Sequence, residues 1–361
     1  MGTNKSYLQS LGTLQLLAVI TVVIGHYWVK DNSFINSLCV SFCFVYSGFF
    51  TAKLHSFGLE YGFKDHLHFM RDKLVRLYPI HVFALALGIV AMLATHLLST
   101  VRLKVILGHL TLLSPWIPNS DFYFGYNPVA WFVCDLFFLY LMAPLIVRLL
   151  RSITVKWQVV LVFALLVLEF AFSYGDYYND KQLQGQAIFY YLYEFPPVRL
   201  LDFAAGITLF HVTTTEWWAR LQSRLTAQSA TIIEVAAIVL FLILYYVGQQ
   251  WIHTHCYRAF CASAPAIIVL FAAFILTSGQ NGALSKLFST KPLALLSTVS
   301  TEVYLLQFGV YFALQPLCRM TGIDSSIWLH LPVVMTALFI TAWAVHQWYC
   351  TPVRNWLKKR C

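Results

Sequence analysis

The chain has 361 residues, of which 59% are hydrophobic and 11% are charged, and its mean hydropathy is +0.69. A soluble domain has about 45–50% apolar and about 25% charged residues, so this composition excludes a water-soluble globule and a disordered chain. The net charge of +9 would suit a nucleic-acid binder, but the basic residues follow a membrane-topology pattern instead. The composition therefore predicts an all-α, polytopic integral membrane protein.

Ten apolar segments are long enough to be predicted as transmembrane helices, because crossing the hydrocarbon core takes about 20 residues. Their ranges are 10–29, 34–54, 77–98, 127–148, 157–175, 195–212, 230–249, 260–278, 293–315 and 327–348. The apolar segment 103–118 is interrupted by Gly108 and two prolines, which favours an interfacial or re-entrant piece over an eleventh span. We find no internal repeat and no soluble appendage, so residues 1–361 are predicted to form a single membrane-embedded domain.

The basic residues predict the orientation of these spans. With a cytoplasmic N-terminus, 17 of the 24 lysines and arginines fall on the inside, 6 fall on the outside, and Arg199 lies within a span. Because cytoplasmic loops carry the excess of basic residues, both termini are predicted to be cytoplasmic. The segment 55–76 is predicted to be an amphipathic helix on the inner membrane surface.

Ionisable side chains inside spans are costly, so each one is a candidate functional residue. His26 lies near the outer end of the first predicted span, and Gln15 precedes it by eleven residues, which is about 16 Å along a helix. Eleven residues are close to three turns, so both side chains are predicted to lie on one polar stripe. A lone buried histidine is more often a satisfied core residue than a catalyst, and the sequence leaves both interpretations open.

The motif KLVRLYP, residues 73–79, opens the third predicted span. Lys73 and Arg76 are one turn apart and could bind the same anion. Pro79 is predicted to lie in the first turn of the span, where its missing N–H costs little. Ordinary anchoring by basic residues at the inner membrane face is the alternative.

Two further stretches have structural interpretations. In FVYSGFF, Ser47 and Gly48 would allow two membrane helices to approach closely. Arg199 and Asp202 are three positions apart on one helix face and are predicted to form an ion pair.

Six stretches, taken in chain order, resemble motifs of the membrane acyltransferase-3 family of bacterial envelope O-acyltransferases. The resemblance covers most of the chain. They are the first-span helix, FVYSGFF, KLVRLYP, AWFVCDLFFLYLMAPL, FPPVRLLDFAAG and STEVYLLQF. Besides His26, Gln15, Lys73 and Arg76, the side chains predicted to line the family's cavity are Ser47, Trp131, Asp135, Arg199, Asp202, Glu302, Tyr304 and Gln307.

Three positions depart from the family pattern. Gln15 occupies the basic position of the first helix, Leu136 stands where many members carry a glutamate, and Gln307 stands in the usual place of a histidine. Asp135 lies one position before the expected glutamate. These departures leave open a divergent subfamily or a relative without activity.

The resemblance implies transfer of an acyl group, most often acetyl, from cytoplasmic acyl-CoA to a hydroxyl of an envelope carbohydrate or its lipid-linked precursor. It places the protein in the bacterial cytoplasmic membrane, in contact with membrane lipids and not with nucleic acid, without a metal or a permanently bound cofactor. His26 is expected to act as general base, and Gln15, Lys73 and Arg76 are expected to bind the acyl-CoA. A non-catalytic relative and a transporter or flippase of a lipid-linked sugar are the alternatives, although a transporter would usually show inverted repeats.

Overall fold

The computed structural model describes residues 3–29, 33–58, 60–97, 100–179, 190–254 and 264–360, and this part of the chain is helical without strands. Short 3₁₀ and π-helical turns connect several of the α-helices. The α-helices are α1 Thr3–Tyr27, α2 Ser33–Leu54, α3 Phe63–Ala94, α4 Leu103–Leu110, α5 Ser120–Tyr123, α6 Trp131–Arg151, α7 Val155–Asn179, α8 Arg199–Thr213, α9 Glu216–Ser223, α10 Ala227–Thr254, α11 Ala264–Ser278, α12 Ala283–Phe288, α13 Lys291–Ser297, α14 Ser300–Thr321, α15 Ile327–Val345 and α16 Thr351–Arg360.

Several of these helices have the length and apolarity of membrane spans. Six of them pass this test within the described residues, and a seventh is added if α13 and α14 are counted as one bent span. Every predicted span overlaps a helix, but α8 has only 15 residues and α11 begins at Ala264, with residues 260–263 outside the described part. The chain is an integral membrane protein, while the count of ten spans and the cytoplasmic termini stay predictions.

The segment 55–76 does not form a separate surface helix, so this prediction is wrong. Its first residues are not helical, and the helix that begins at Phe63 continues without interruption to Ala94. The start is set by a local cap, in which the Gly62 N–H donates to the Asp65 carboxylate at 2.8 Å. Because the helix begins so early, Pro79 lies in its interior and not in its first turn.

The predicted span 293–315 is also interrupted. Helices α13 and α14 meet at an angle of 60°. The hydroxyls of Ser297 and Thr298 donate back to the carbonyls of Ala294 and Leu295 at 2.8 and 2.7 Å. Side chains that bond to the nearby backbone are common at helix ends, and α13 ends at this pair of residues.

The segment 103–118 agrees with its prediction that it does not cross the membrane. It contains the eight-residue helix α4 and a 3₁₀ turn over Ser114–Trp116, and neither is long enough to span the hydrocarbon core.

Helices α2 and α8 approach each other closely at two glycines. A Cβ on Gly48 would lie 2.0 Å from the Phe203 carbonyl oxygen, and a Cβ on Gly206 would lie 1.9 Å from the Val45 carbonyl oxygen. Only glycine can occupy either position at this helix separation. The prediction that Ser47 and Gly48 support close helix packing therefore holds for Gly48, and this contact places α2 in the centre of the bundle.

Candidate active site

Two cavities lie between the helices that carry the predicted site residues. The first, which we call the basic cavity, has a volume of about 140 Å³ and is lined by Gln15, Ser47, Lys73 and Arg76. The second, which we call the histidine cavity, has a volume of about 400 Å³, and its lining includes His26 and Trp131. Gln15 and His26 thus face different cavities, although they lie on one helix as predicted.

Tyr304 lies on the wall of both cavities. It belongs to α14 and is almost fully buried, with its ring 5.0 Å from that of Phe132. Tyr304 and its neighbours therefore form the boundary at which a group held in one cavity comes closest to a group held in the other.

The basic cavity is suited to an anion. Arg76 is exposed, whereas Lys73 is half-buried with its Nζ 4.5 Å from the centre of the Tyr140 ring. Ser300 and Thr301, in the first turn of α14, also line this cavity. Since a helix N-terminus carries a partial positive charge, it reinforces the two basic side chains.

His26 is held by Gln307 across the bundle. Its Nδ1 lies 2.9 Å from the Gln307 Oε1, and the Gln307 Nε2 donates to the Tyr304 carbonyl at 2.8 Å. Because a carbonyl can only accept, the amide orientation of Gln307 is determined, and its oxygen faces the imidazole. Nδ1 must therefore carry the hydrogen, which leaves Nε2 as the nitrogen that can accept a proton.

The side chain of His26 is also exposed, unlike that of a histidine satisfied inside a core. Gln307 is buried and holds the ring through its contact with Nδ1. The structure thus combines an accessible base nitrogen with a fixed ring orientation, which is the arrangement that proton transfer to a bound hydroxyl requires.

Arg199 and Asp202 form the predicted ion pair, with Nη1 of the arginine 3.0 Å from the carboxylate. The same Nη1 donates to the Ser41 hydroxyl at 3.2 Å, and Nε donates to the Tyr193 carbonyl at 2.9 Å. Both members of the pair are buried and neither lines the two cavities described above. This network joins α2, α8 and the turn before α8, which supports a structural role for the pair.

Glu302 belongs to a second buried network. Its Oε1 accepts from His346 Nδ1 at 2.8 Å and from Arg354 Nη2 at 3.0 Å. Arg354 also donates from Nε to the backbone carbonyl of Arg76 at 3.1 Å. Glu302 therefore does not line either cavity but connects α14, α3 and the C-terminal helix beside the basic cavity.

Two buried carboxyl groups lie near the histidine cavity. Asp135 and Glu194 are 0% exposed, and none of their carboxylate oxygens has a hydrogen-bond partner among the described residues. Glu194 is one of the residues that line the histidine cavity, and burial raises its pKa to about 8. The raised pKa favours the uncharged acid, which can donate a hydrogen bond.

The sequence analysis missed Glu194 and Arg354. Glu194 is the one acidic residue of the aromatic run YYLYEF, which was the available signal. Nothing in the local sequence indicates the contacts of His346 and Arg354, since their partners lie far away in the chain. Within the described residues, no group of three or more histidines, cysteines and acidic residues is arranged to hold a metal ion.

Residues 8–347 match the family model of the acyltransferase-3 family, which is described as an acyltransferase domain. The chain belongs to this family. The match covers nearly the whole chain and ends before the C-terminal helix α16. A comparison with curated proteins and with solved structures gives no match.

The structure shows where this acyltransferase-family member carries the three residues that depart from the family pattern. Gln15 lines the basic cavity together with Lys73 and Arg76, and Leu136 lines the same cavity where many members carry a glutamate. Gln307 contacts His26 directly from the position of the family's second histidine. Its amide can orient His26 but is not itself a useful base.

Proposed function

We propose that this protein is a membrane O-acyltransferase that transfers an acetyl group from acetyl-CoA to a hydroxyl of an envelope carbohydrate or its lipid-linked precursor. The observation that carries the proposal is that Tyr304 lies on the wall of both cavities, one of which is lined by basic side chains and the other by an oriented histidine. We place the protein in a bacterial cytoplasmic membrane, where acetyl-CoA is available from the cytoplasmic side and the envelope carbohydrate from the opposite side.

In the proposed reaction, His26 Nε2 takes the proton of the acceptor hydroxyl while the oxygen attacks the thioester carbonyl. The resulting tetrahedral intermediate collapses with cleavage of the carbon–sulfur bond, and the imidazolium returns the proton to the departing CoA sulfur. The products are the acyl ester and free CoA. Gln307 accepts from Nδ1 throughout and so keeps Nε2 available for both transfers.

The donor would enter from the basic cavity. CoA carries a pyrophosphate, and Lys73, Arg76 and the N-terminus of α14 provide positive potential for it. Gln15 could donate a hydrogen bond to the pantetheine arm or the thioester carbonyl, with less charge stabilisation than the arginine for which it stands.

The acceptor would occupy the histidine cavity. None of the described residues that line this cavity is a lysine or an arginine, whereas His26, Asn36, Ser37 and Glu194 offer polar atoms. Such a lining favours a neutral, hydroxyl-rich group at the reacting position over a phosphate. The carbohydrate acceptor class is supported by this chemistry.

Charge reversal at Arg76 is expected to weaken donor binding. Losing one hydrogen bond to a charged group costs about 1.5–3 kcal/mol, so Arg76→Glu should raise the donor concentration required by roughly 10-fold to 150-fold. Lys64→Glu is the matched control, since Lys64 is exposed on the same helix and does not line the cavity. Equal donor requirements in the two variants would mean that Arg76 serves only as a membrane anchor.

Removing the Gln307 carbonyl is expected to slow turnover without changing donor binding. In Gln307→Leu the His26 Nδ1–H loses its acceptor, and a loss of about 1 kcal/mol corresponds to roughly a fivefold lower kcat. Gln315→Leu is the control, because Gln315 lies on the same helix and contacts His330 instead. A Gln307→Leu variant with the kcat of the control would remove Gln307 from the mechanism.

The proposed function is tested by comparing envelope glycans from cells with and without the protein by mass spectrometry. An added mass of one acetyl group per modified sugar, lost in the His26→Ala variant, is the expected result. In parallel, the purified protein should release free CoA thiol from acetyl-CoA only when the acceptor is supplied. Identical glycans in both strains, together with no thiol release, would favour a non-catalytic relative or a transporter.

A further inference from the structure

The basic cavity is too small for the whole donor. Clefts that hold ligands of drug size have volumes of about 300–1,000 Å³, whereas this cavity has a volume of about 140 Å³. The narrow pantetheine arm of CoA can enter such a space, but the adenosine nucleotide with its 3′-phosphate cannot. The nucleotide must then lie outside the cavity, near the exposed Arg76.

The C-terminal helix α16 lies beside this position. Arg354 joins α16 to the donor site in two ways, through its bond to the Arg76 carbonyl at 3.1 Å and its ion pair with Glu302 at 3.0 Å. Glu302 is in the first turn of α14, whose Ser300 and Thr301 line the basic cavity. Arg354 is therefore a positioning residue that ties α16 to both walls of the cavity.

One basic side chain of α16 shares the face of Arg354. Lys358 follows Arg354 by four residues, so it lies one turn further along the same face, about 6 Å away along the axis. Lys359 is as exposed as Lys358 but is rotated by about 100° to another face. Arg360 lies over the Trp356 ring, with its guanidinium carbon 4.4 Å from the ring centre.

We infer that α16 forms the nucleotide-binding part of the donor site, in which Lys358 binds the 3′-phosphate of CoA and Arg354 holds the helix against Arg76. This inference rests on the proposed function, since it assumes that CoA is the donor. The family match ends at residue 347, so the family model does not cover α16. General attraction of basic residues to anionic lipid is the alternative, and it would not distinguish Lys358 from Lys359.

Binding of CoA and of 3′-dephospho-CoA to the purified full-length protein tests this inference without an acceptor. We expect the unmodified protein to bind CoA about tenfold or more tightly than 3′-dephospho-CoA in isothermal titration calorimetry. Lys358→Ala should weaken CoA binding by the same factor and leave 3′-dephospho-CoA binding unchanged. Lys359→Ala, which removes an equal charge from the adjacent position, should bind both ligands as the unmodified protein does.

Other results of these binding measurements would contradict the inference, the proposed function or both. Equal affinity of the unmodified protein for CoA and 3′-dephospho-CoA, or equal effects of Lys358→Ala and Lys359→Ala, would overturn the role of α16 while the proposed function stands. Absence of CoA binding to the unmodified, folded protein would overturn the proposed function and this inference together. Because Lys358 is exposed, its replacement is not expected to disturb folding.

Discussion

His26→Ala is expected to abolish most acyl transfer while leaving the protein folded and able to bind donor. General-base catalysis typically contributes about 10²–10⁴-fold to the rate, and His26, the proposed base, lines the histidine cavity. The decrease should lie in kcat, because His26 does not line the basic cavity. Acceptor-dependent thiol release from acetyl-CoA measures it.

A loss of activity in His26→Ala can be distinguished from a folding defect. The His26 side chain is exposed, and among the described residues its polar contact is with Gln307, so its truncation should cost only about 1 kcal/mol of stability. His68→Ala is the control for loss of an exposed imidazole outside both cavities. A purified His26→Ala protein with near-normal kcat would exclude the proposed mechanism, and one that fails to accumulate would indicate a structural histidine.

Arg199→Met is expected to have the largest effect on stability. It leaves the buried Asp202 carboxylate without its ion-pair partner and removes the bonds to Ser41 and Tyr193. Removing one member of a buried pair costs about 3–5 kcal/mol, because the remaining charge stays buried. Thermal unfolding of the purified protein in detergent, followed by far-UV circular dichroism, measures the loss.

Two comparisons isolate the buried charge as the cause. The double variant Arg199→Met with Asp202→Leu should recover part of the lost stability, because neither charge is then left in the core. Arg220→Met is the surface control, since the Arg220–Glu216 pair at 3.1 Å is exposed and should contribute about 0–1 kcal/mol. Equal destabilisation by Arg199→Met and Arg220→Met would show that burial of the pair is not what matters.

Local sequence patterns predicted most of the helices but not all of their ends. The apolar runs gave helices at every predicted span, because hydrophobic length depends only on the residues of each segment. The segment 55–76 was predicted incorrectly, because the Gly62–Asp65 cap starts α3 upstream of its apolar run. The bend between α13 and α14 was missed because two hydroxyl residues, Ser297 and Thr298, lower the mean hydropathy of a long apolar segment only slightly.

The residues of the candidate site were also predicted only in part from the sequence. Gln15, Lys73 and Arg76 were grouped from motif spacing and family resemblance, and they line one cavity. The sequence did not predict that His26 lines a different cavity from these three residues. Gln15 and His26 share a helix face, but this pattern does not reveal that Tyr304 lies between the basic cavity and the histidine cavity. Glu302 was expected in a cavity but pairs with His346 and Arg354, whose positions depend on how the C-terminal segment folds back.

The sequence by itself determined that the protein is helical, that it resides in a membrane and that it belongs to an acyltransferase family, because composition, hydrophobic length and motif order are properties of the chain. Only the tertiary structure decided which residues act together. The contact between His26 and Gln307 joins positions 281 residues apart, and that between Arg354 and Arg76 joins positions 278 residues apart. Such hydrogen bonds form only when packed helices bring two side chains within about 3 Å, and no local periodicity encodes that distance.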